Sequence, residues 1–242
     1  MKIKIKPDGG PVYRQIEEQL ASAIEKGYLR PGEKLPPERD MAVQLGISRM
    51  TVRQAFDGLA RRALVDRGVG RGTFVAAPKV ELDHSRVAGF SEQMERAGLE
   101  PAAEVLSSER VAAPAEVAAE LGIEAGAGTL HVRRLRSGGG VPMTIEDFWL
   151  PLELFPGIED ADLSGSLYSL LRERYASGPV RAVERLEPVH ATAPQARLLE
   201  IPARSPVMLV ERVAYDAEGR AVEFARDRHR GDRARFVIEV AL

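Results

Sequence analysis

An α+β chain in two unlike parts is what the sequence predicts, and three observations carry that prediction. Through residue 77 the apolar residues recur at helical spacing, whereas alternating runs of β type, with short helical stretches between them, dominate afterwards. The charge changes sign at the same place. Of the 34 Lys and Arg and 36 Asp and Glu in the chain, residues 1–77 hold 14 and 9, leaving 20 and 27 for the rest, so balances of +5 and -7 lie inside a net charge of -2. Between the halves, Ala76-Ala77-Pro78-Lys79 has no buried-face pattern and carries a proline that hinders either regular structure. The expected organisation is a helical domain over 1–76, a linker over 77–85 and an α+β domain with an antiparallel sheet over 86–242.

Composition excludes several classes. With no Cys in 242 residues there is no disulfide framework, thiolate metal site or cysteine nucleophile, and a reducing cytoplasm is the expected location. The basic start Met1-Lys2-Ile3-Lys4-Ile5-Lys6 is followed by no apolar h-region, and no stretch approaches the roughly 18 apolar residues of a membrane span. Two domains of different class and charge point to two different partners.

In the first domain Val12, Ile16, Leu20 and Ile24 fall four apart, which places one apolar stripe on a helix over 11–27 that Gly27 closes. Arg30-Pro31-Gly32 makes a turn, and Pro36-Pro37 opens a short second helix ending at Gly46. Ser48 is placed to cap a third helix whose buried stripe is Val52, Ala55, Phe56 and Leu59 and whose outer face holds Arg49, Thr51, Arg53 and Gln54. Residues 64–67 and 73–75 read as short strands about the glycine-rich loop Gly68-Val69-Gly70-Arg71-Gly72.

Two helices joined by a tight glycine turn, the second opening on basic residues and followed by a hairpin, form the pattern of a winged helix-turn-helix. The chemistry suits double-stranded DNA: Arg pairs bidentately with guanine, Gln with adenine, and a Ser-capped helix end offers N–H groups to phosphate. Taken singly, Arg49 and Arg53 are more often a solvated face and a glycine-rich hairpin is more often a plain turn. Their conjunction on a basic segment favours DNA.

In the second domain Leu130, Val132, Arg134 and Arg136 share one parity on a strand over 129–136, so two guanidinium groups project from one face. A strand over 141–150 carries Glu146 inside an apolar sequence. A hairpin joins 207–215 to 220–229 through Asp216-Ala217-Glu218-Gly219, with Glu223 and His229 at equal parity, and helices are expected over 114–121, 164–175 and 194–199. Two arginines on one strand make a clamp for phosphate or carboxylate. The alternative, that they and the glutamates are ordinary surface residues, stays open for each taken alone. The four histidines lie too far apart for a metal set, and no metal or cofactor is expected.

Tyr13-Arg14-Gln15-Ile16, Gly27-Tyr28-Leu29-Arg30-Pro31-Gly32, Leu35-Pro36-Pro37-Glu38-Arg39, Leu45-Gly46-Ile47-Ser48-Arg49, Thr51-Val52-Arg53-Gln54-Ala55 and Gly70-Arg71-Gly72-Thr73-Phe74-Val75 together resemble the GntR family of bacterial transcription regulators. The resemblance implies DNA contacts at Arg39, Ser48, Arg49, Thr51 and Arg53, with the wing residues Gly70 and Arg71 reaching the minor groove. Pro37 departs from the family's usual Ser, which alters the cap of the second helix.

Likewise Gly89-Phe90-Ser91-Glu92, Arg134-Leu135-Arg136, Pro142-Met143-Thr144-Ile145-Glu146, Ser166-Leu167-Tyr168 and Val222-Glu223-Phe224, followed by Arg230-Gly231-Asp232-Arg233, resemble the UTRA effector-binding domain of the HutC-type branch, which shares the chorismate lyase fold. That resemblance implies an anion held by Ser91, Arg134, Arg136, Ser166 and Tyr168, and a sugar held by Glu146, Glu223 and His229, with Phe90 in the same pocket. Such sensors typically carry an aromatic at the position of His229. The expectation is a ligand-responsive regulator, a repressor acting as a homodimer on a palindromic operator, whose small anionic effector is a phosphorylated sugar or amino sugar. The competing class is an enzyme, because the second fold is shared with a lyase. The sequence holds no nucleophile–base pair, metal set or phosphate-transfer loop to support it.

Overall fold

A computed structural model of the chain describes residues 3–68 and 72–240. It divides into two compact units, Met1–Lys79 and Val80–Leu242, each with a core of its own.

In the first unit, helices α1 (Val12–Glu25), α2 (Glu38–Leu45) and α3 (Arg49–Arg61) precede an antiparallel pair, β1 (Val65–Gly68) and β2 (Gly72–Val75). The stripes expected from spacing are the buried ones: Ile16 and Leu20 of α1 pack with Val52, Ala55, Phe56 and Leu59 of α3, and Val65 and Val75 close the core from the hairpin. Gly46 ends α2 in the left-handed conformation, at φ +65, which glycine adopts without the Cβ clash. Two residues later Ser48 starts α3, its Oγ accepting from the Thr51 N–H at 3.1 Å. A bridge between Lys34 and Phe74 ties the segment before α2 to the hairpin.

The second unit is built on strands β4 (Pro101–Ala112), β5 (Gly128–Gly138), β6 (Val141–Pro151), β7 (Arg181–His190), β8 (Pro206–Tyr215) and β9 (Ala221–Arg230). They form a six-stranded antiparallel sheet in the order β4-β5-β6-β9-β8-β7. Helix α6 (Leu167–Tyr175) covers one face with Leu167, Tyr168 and Leu171 against Leu130, Val132, Phe148 and Leu150. Helices α5 (Ala115–Leu121) and α7 (Ala193–Leu198) pack on the other face, against Trp149 and Phe224 and against Ile145 and Val207 respectively. Helix α4 (Phe90–Arg96) buries Met94 with Leu82 and Ala234.

The stretch 77–85 is not all linker. Residues 80–83 are strand β3 (Val80–Asp83), paired in parallel with β10 (Ala234–Val237) near the other end of the chain. Four residues whose partner lies about 150 positions away leave no periodic signal in their own neighbourhood. The edge strands β4 and β7 carry no alternating apolar run in their sequence: β4 is exposed or half-buried along its length, and β7 alternates between exposed and half-buried positions, with Glu184 among the half-buried ones. Among the described residues no helix is long and apolar enough to cross a membrane.

Candidate nucleic-acid interface and effector pocket

The outer face of α3 carries Arg49, Met50, Arg53 and Gln54, all exposed. The Ser48 and Thr51 hydroxyls lie 2.8 Å apart and are committed to the helix cap. Arg49 Nε donates to Glu38 Oε2 at 3.1 Å and keeps most of its surface in solvent, and Arg39 is exposed on α2. The structure thus gathers Arg39, Ser48, Arg49, Thr51 and Arg53 on α2, on α3 and at the turn between them. Gly70 and Arg71 of the wing lie outside the described residues.

The second constellation grows out of the sheet face that α6 covers. Alternation along β5 puts Arg134 and Arg136 on the same side as Leu130 and Val132, so the apolar floor continues into a polar one. Arg134 is directly opposite Glu146 in the β5–β6 register, and Arg136 is opposite Thr144. The Glu146 carboxylate accepts from Arg134 Nε at 2.8 Å, from Arg134 Nη2 at 2.6 Å and from Arg136 Nη1 at 3.3 Å. Arg134 Nη1 also donates to the carbonyls of Leu163 and Gly165, at 2.7 and 3.1 Å. Arg136 Nη2 donates to Ser91 Oγ at 2.8 Å, and its guanidinium lies over the Phe90 ring. Ser166 caps α6 through the Ser169 N–H, and the Tyr168 hydroxyl donates to Glu223 Oε2 at 2.7 Å.

Phe90, Ser91, Arg134, Arg136, Glu146, Ser166, Tyr168 and Glu223 line one cavity, with Gly89, Leu167 and Arg212. It has room for about 20 Å³, enough for one water and far below what a sugar needs. In this state both arginines are already satisfied by Glu146, so the carboxylate expected to receive sugar hydroxyls instead fills the clamp. His229 does not line this cavity; its Nδ1 is 2.9 Å from Thr144 Oγ1 and its ring meets Phe236 edge-on.

Electrostatics follow from burial. Desolvation pushes the Glu146 carboxyl up, but Arg134 and Arg136 outweigh it and hold it down at about 2. Burial raises the Tyr168 phenol well above its ordinary value, which keeps it a neutral donor to Glu223. Burial lowers His229 to about 3, with His84 and Arg212 adding to it, so the imidazole is neutral.

Arg212, which belongs to none of the motifs above, also lines the cavity. It donates to Glu223 Oε2 at 3.4 Å and to Asp227 Oδ2 at 3.0 Å, lies 3.6 Å from Glu184 Oε1, and Glu184 in turn bonds His84. Asp227, raised to about 7 by burial against the pull of Arg212, likewise belongs to none of those motifs. A signal existed: Asp227 lies between Glu223 and His229 at their shared parity, and Arg212 interrupts an apolar strand.

A helix-turn-helix with an exposed basic reading face, joined to a separate unit with a closed, charge-lined pocket, defines a DNA-binding transcription regulator with a small-molecule-sensing domain. The comparisons with known proteins agree. The model for "Bacterial regulatory proteins, gntR family" matches residues 12–75 and that for the UTRA domain matches residues 96–235. The transcriptional repressor NagR of Bacillus subtilis (strain 168) is 40% identical over 94% of this chain and 93% of its own length. The mannosyl-D-glycerate transport/metabolism system repressor MngR of Escherichia coli (strain K12) is 30% identical over 94% and 95%. Among solved structures, PhnF from Mycobacterium smegmatis aligns with TM-score 0.67 and 31% identity over 93% of this chain and 99% of that one. The chain belongs to the gntR family of bacterial regulatory proteins, in the HutC-type branch that carries a UTRA domain. It is a transcription regulator and not an enzyme.

Proposed function

We propose that the chain is a cytoplasmic repressor that binds a palindromic operator as a homodimer and responds to a phosphorylated sugar or amino sugar. Residues 1–76 read DNA through Arg39, Ser48, Arg49, Thr51 and Arg53, with Gly70 and Arg71 at the wing, and residues 86–242 bind the effector. Two-fold symmetry is favoured because one winged module reads only a short half-site. Relatives named for a mannosyl-D-glycerate transport/metabolism system and for a fructoselysine utilization operon, both sugar derivatives, support the sugar half of the effector.

The observation that carries the reading is the pairing of Arg134 and Arg136 on one buried strand face with Ser91, Ser166 and Tyr168 around the same cavity. An incoming phosphate replaces Glu146 as the partner of the two arginines and takes the Ser91 and Ser166 hydroxyls. Glu146, released, accepts from sugar hydroxyls together with Glu223, and His229 follows through Thr144 on β6. Because the cavity is too small for this, binding displaces α4, the helix that carries Ser91 and follows β3 at the start of the second unit. A ligand that binds the opened arrangement better shifts the population towards it, and only by its differential affinity.

The test is thermal unfolding of the full chain with hexose and hexosamine phosphates, their unphosphorylated parents and inorganic phosphate. A ligand at about 100 times its Kd adds about 2.7 kcal/mol of stability. A rise in Tm with a phosphorylated sugar, lost in Arg136→Ala, supports the reading. No rise with any phosphorylated sugar contradicts it.

A further inference from the structure

A methionine stands at the centre of the DNA-reading face. Met50, the second residue of α3, is 61% exposed. At about 100° per residue it lies about 180° around the helix from Leu59 and about 160° from Val52, so it points directly away from the core. Arg53 and Gln54 flank it, about 60° to one side and about 40° to the other. A lone exposed methionine elsewhere on a protein would mean nothing, since single apolar residues are common on surfaces. Here the neighbours give it meaning. The Ser48 and Thr51 hydroxyls are engaged with each other and with the cap, and Arg49 leans on Glu38. The first turns of α3 therefore present to a groove one flexible apolar side chain between Arg53 and Gln54, with Arg49 exposed beside them.

A major groove offers such a side chain one apolar feature, the C5-methyl of thymine; the other base edges there are hydrogen-bond donors and acceptors. An unbranched thioether adapts well to a methyl group whose position is set by the flanking contacts. Asp57, two turns further along the same line, adds a negative charge, which favours contact through the N-terminal turns of α3.

We propose that Met50 reads the 5-methyl group of one thymine in each operator half-site and so sets part of the sequence preference. The inference rests on α3 being the reading helix. The probe is the duplex that the full chain selects from a random pool, with each thymine replaced in turn by deoxyuridine, which removes the methyl and nothing else. The expected result is one thymine per half-site at which the replacement weakens wild-type binding about fourfold, the equivalent of one buried methyl. Met50→Ala should bind the thymine and deoxyuridine duplexes alike at that position, and Met50→Leu should keep the difference. Since the side chain lies in solvent, neither variant disturbs the fold. A wild type indifferent to every replacement, or a Met50→Ala protein that keeps the same thymine preference, overturns the inference. In both cases continued preference for the selected duplex over random DNA leaves α3 as the reading helix, whereas failure to select any duplex removes that reading and this one with it.

Discussion

The Arg134 guanidinium and the Glu146 carboxylate face each other across β5 and β6, both buried and joined by bonds of 2.8 and 2.6 Å. The same carboxylate reaches Arg136 at 3.3 Å. The residues that would hold an effector's anion thus hold an internal one, and the closed site is its own competitor. Truncating one member leaves an unpaired charge in the core. Arg134→Ala should therefore lower stability by about 3–5 kcal/mol in urea unfolding. A change under about 1 kcal/mol would mean that water reaches Glu146 and the site is not closed.

Neutralising the internal competitor should split two affinities in opposite directions. Glu146→Gln removes the carboxylate bonded to both arginines, so inorganic phosphate should bind about tenfold more tightly, the equivalent of one charge-assisted hydrogen bond. A sugar phosphate should lose part of its advantage over inorganic phosphate, because the same residue accepts from its hydroxyls. Calorimetric titration of both ligands measures the ratio. Equal changes for the two would show that Glu146 does not contact the sugar.

The buried His229 makes an acid-side prediction. Its folded pKa is about 3 against an ordinary 6.5, so below pH 6.5 the unfolded chain binds a proton that the folded one does not. The His229 contribution to stability falls as pH drops from 6.5 towards 3, by about 2 kcal/mol at pH 5. Asp227 acts in the opposite sense: its folded pKa of about 7 lies above 3.8, so its contribution is complete below pH 3.8 and is lost progressively as pH rises from there through 7. His84, Glu184, Arg212 and Glu146 also act on this group and are common to wild type and variant. His229→Gln, which can still bond Thr144, isolates the histidine: its stability relative to wild type should increase between pH 7 and pH 5. A constant difference over that range would refute neutral burial of His229.

On the DNA side, each arginine that pairs with a base should contribute about 1–3 kcal/mol of discrimination. Arg53→Ala should weaken the specific complex by about tenfold or more and leave random-duplex affinity nearly unchanged, as read by fluorescence anisotropy at fixed salt. Equal losses on both duplexes would make Arg53 a phosphate contact. Ser48→Ala should cost about 1 kcal/mol of stability in the first unit through loss of its bond to the Thr51 N–H.

How far the sequence foretold this site depends on whether the signal was local. The stripes of α1 and α3, the glycine stop at Gly46 and the Ser48 cap are features of spacing and of single-residue geometry, and were readable. So was the shared parity of Arg134 and Arg136. What was not readable is non-local: the β3–β10 pairing, the edge strands β4 and β7, which hold no fully buried residue, and the meeting of Glu146 with both arginines, which depends on the register of β5 with β6. The chemistry of each residue was evident from its type. Which of its neighbours would satisfy it was not, and for Glu146 the neighbour turned out to be the clamp itself.

Filling the Arg134–Arg136 site should change DNA affinity. The most direct measurement is an anisotropy titration of the full chain onto its selected operator, with and without a sugar phosphate that raises its Tm. The operator Kd should change about fivefold or more, the low end of allosteric coupling, and Arg136→Ala should abolish the change. An operator Kd that stays constant while the sugar phosphate demonstrably occupies the site would contradict it.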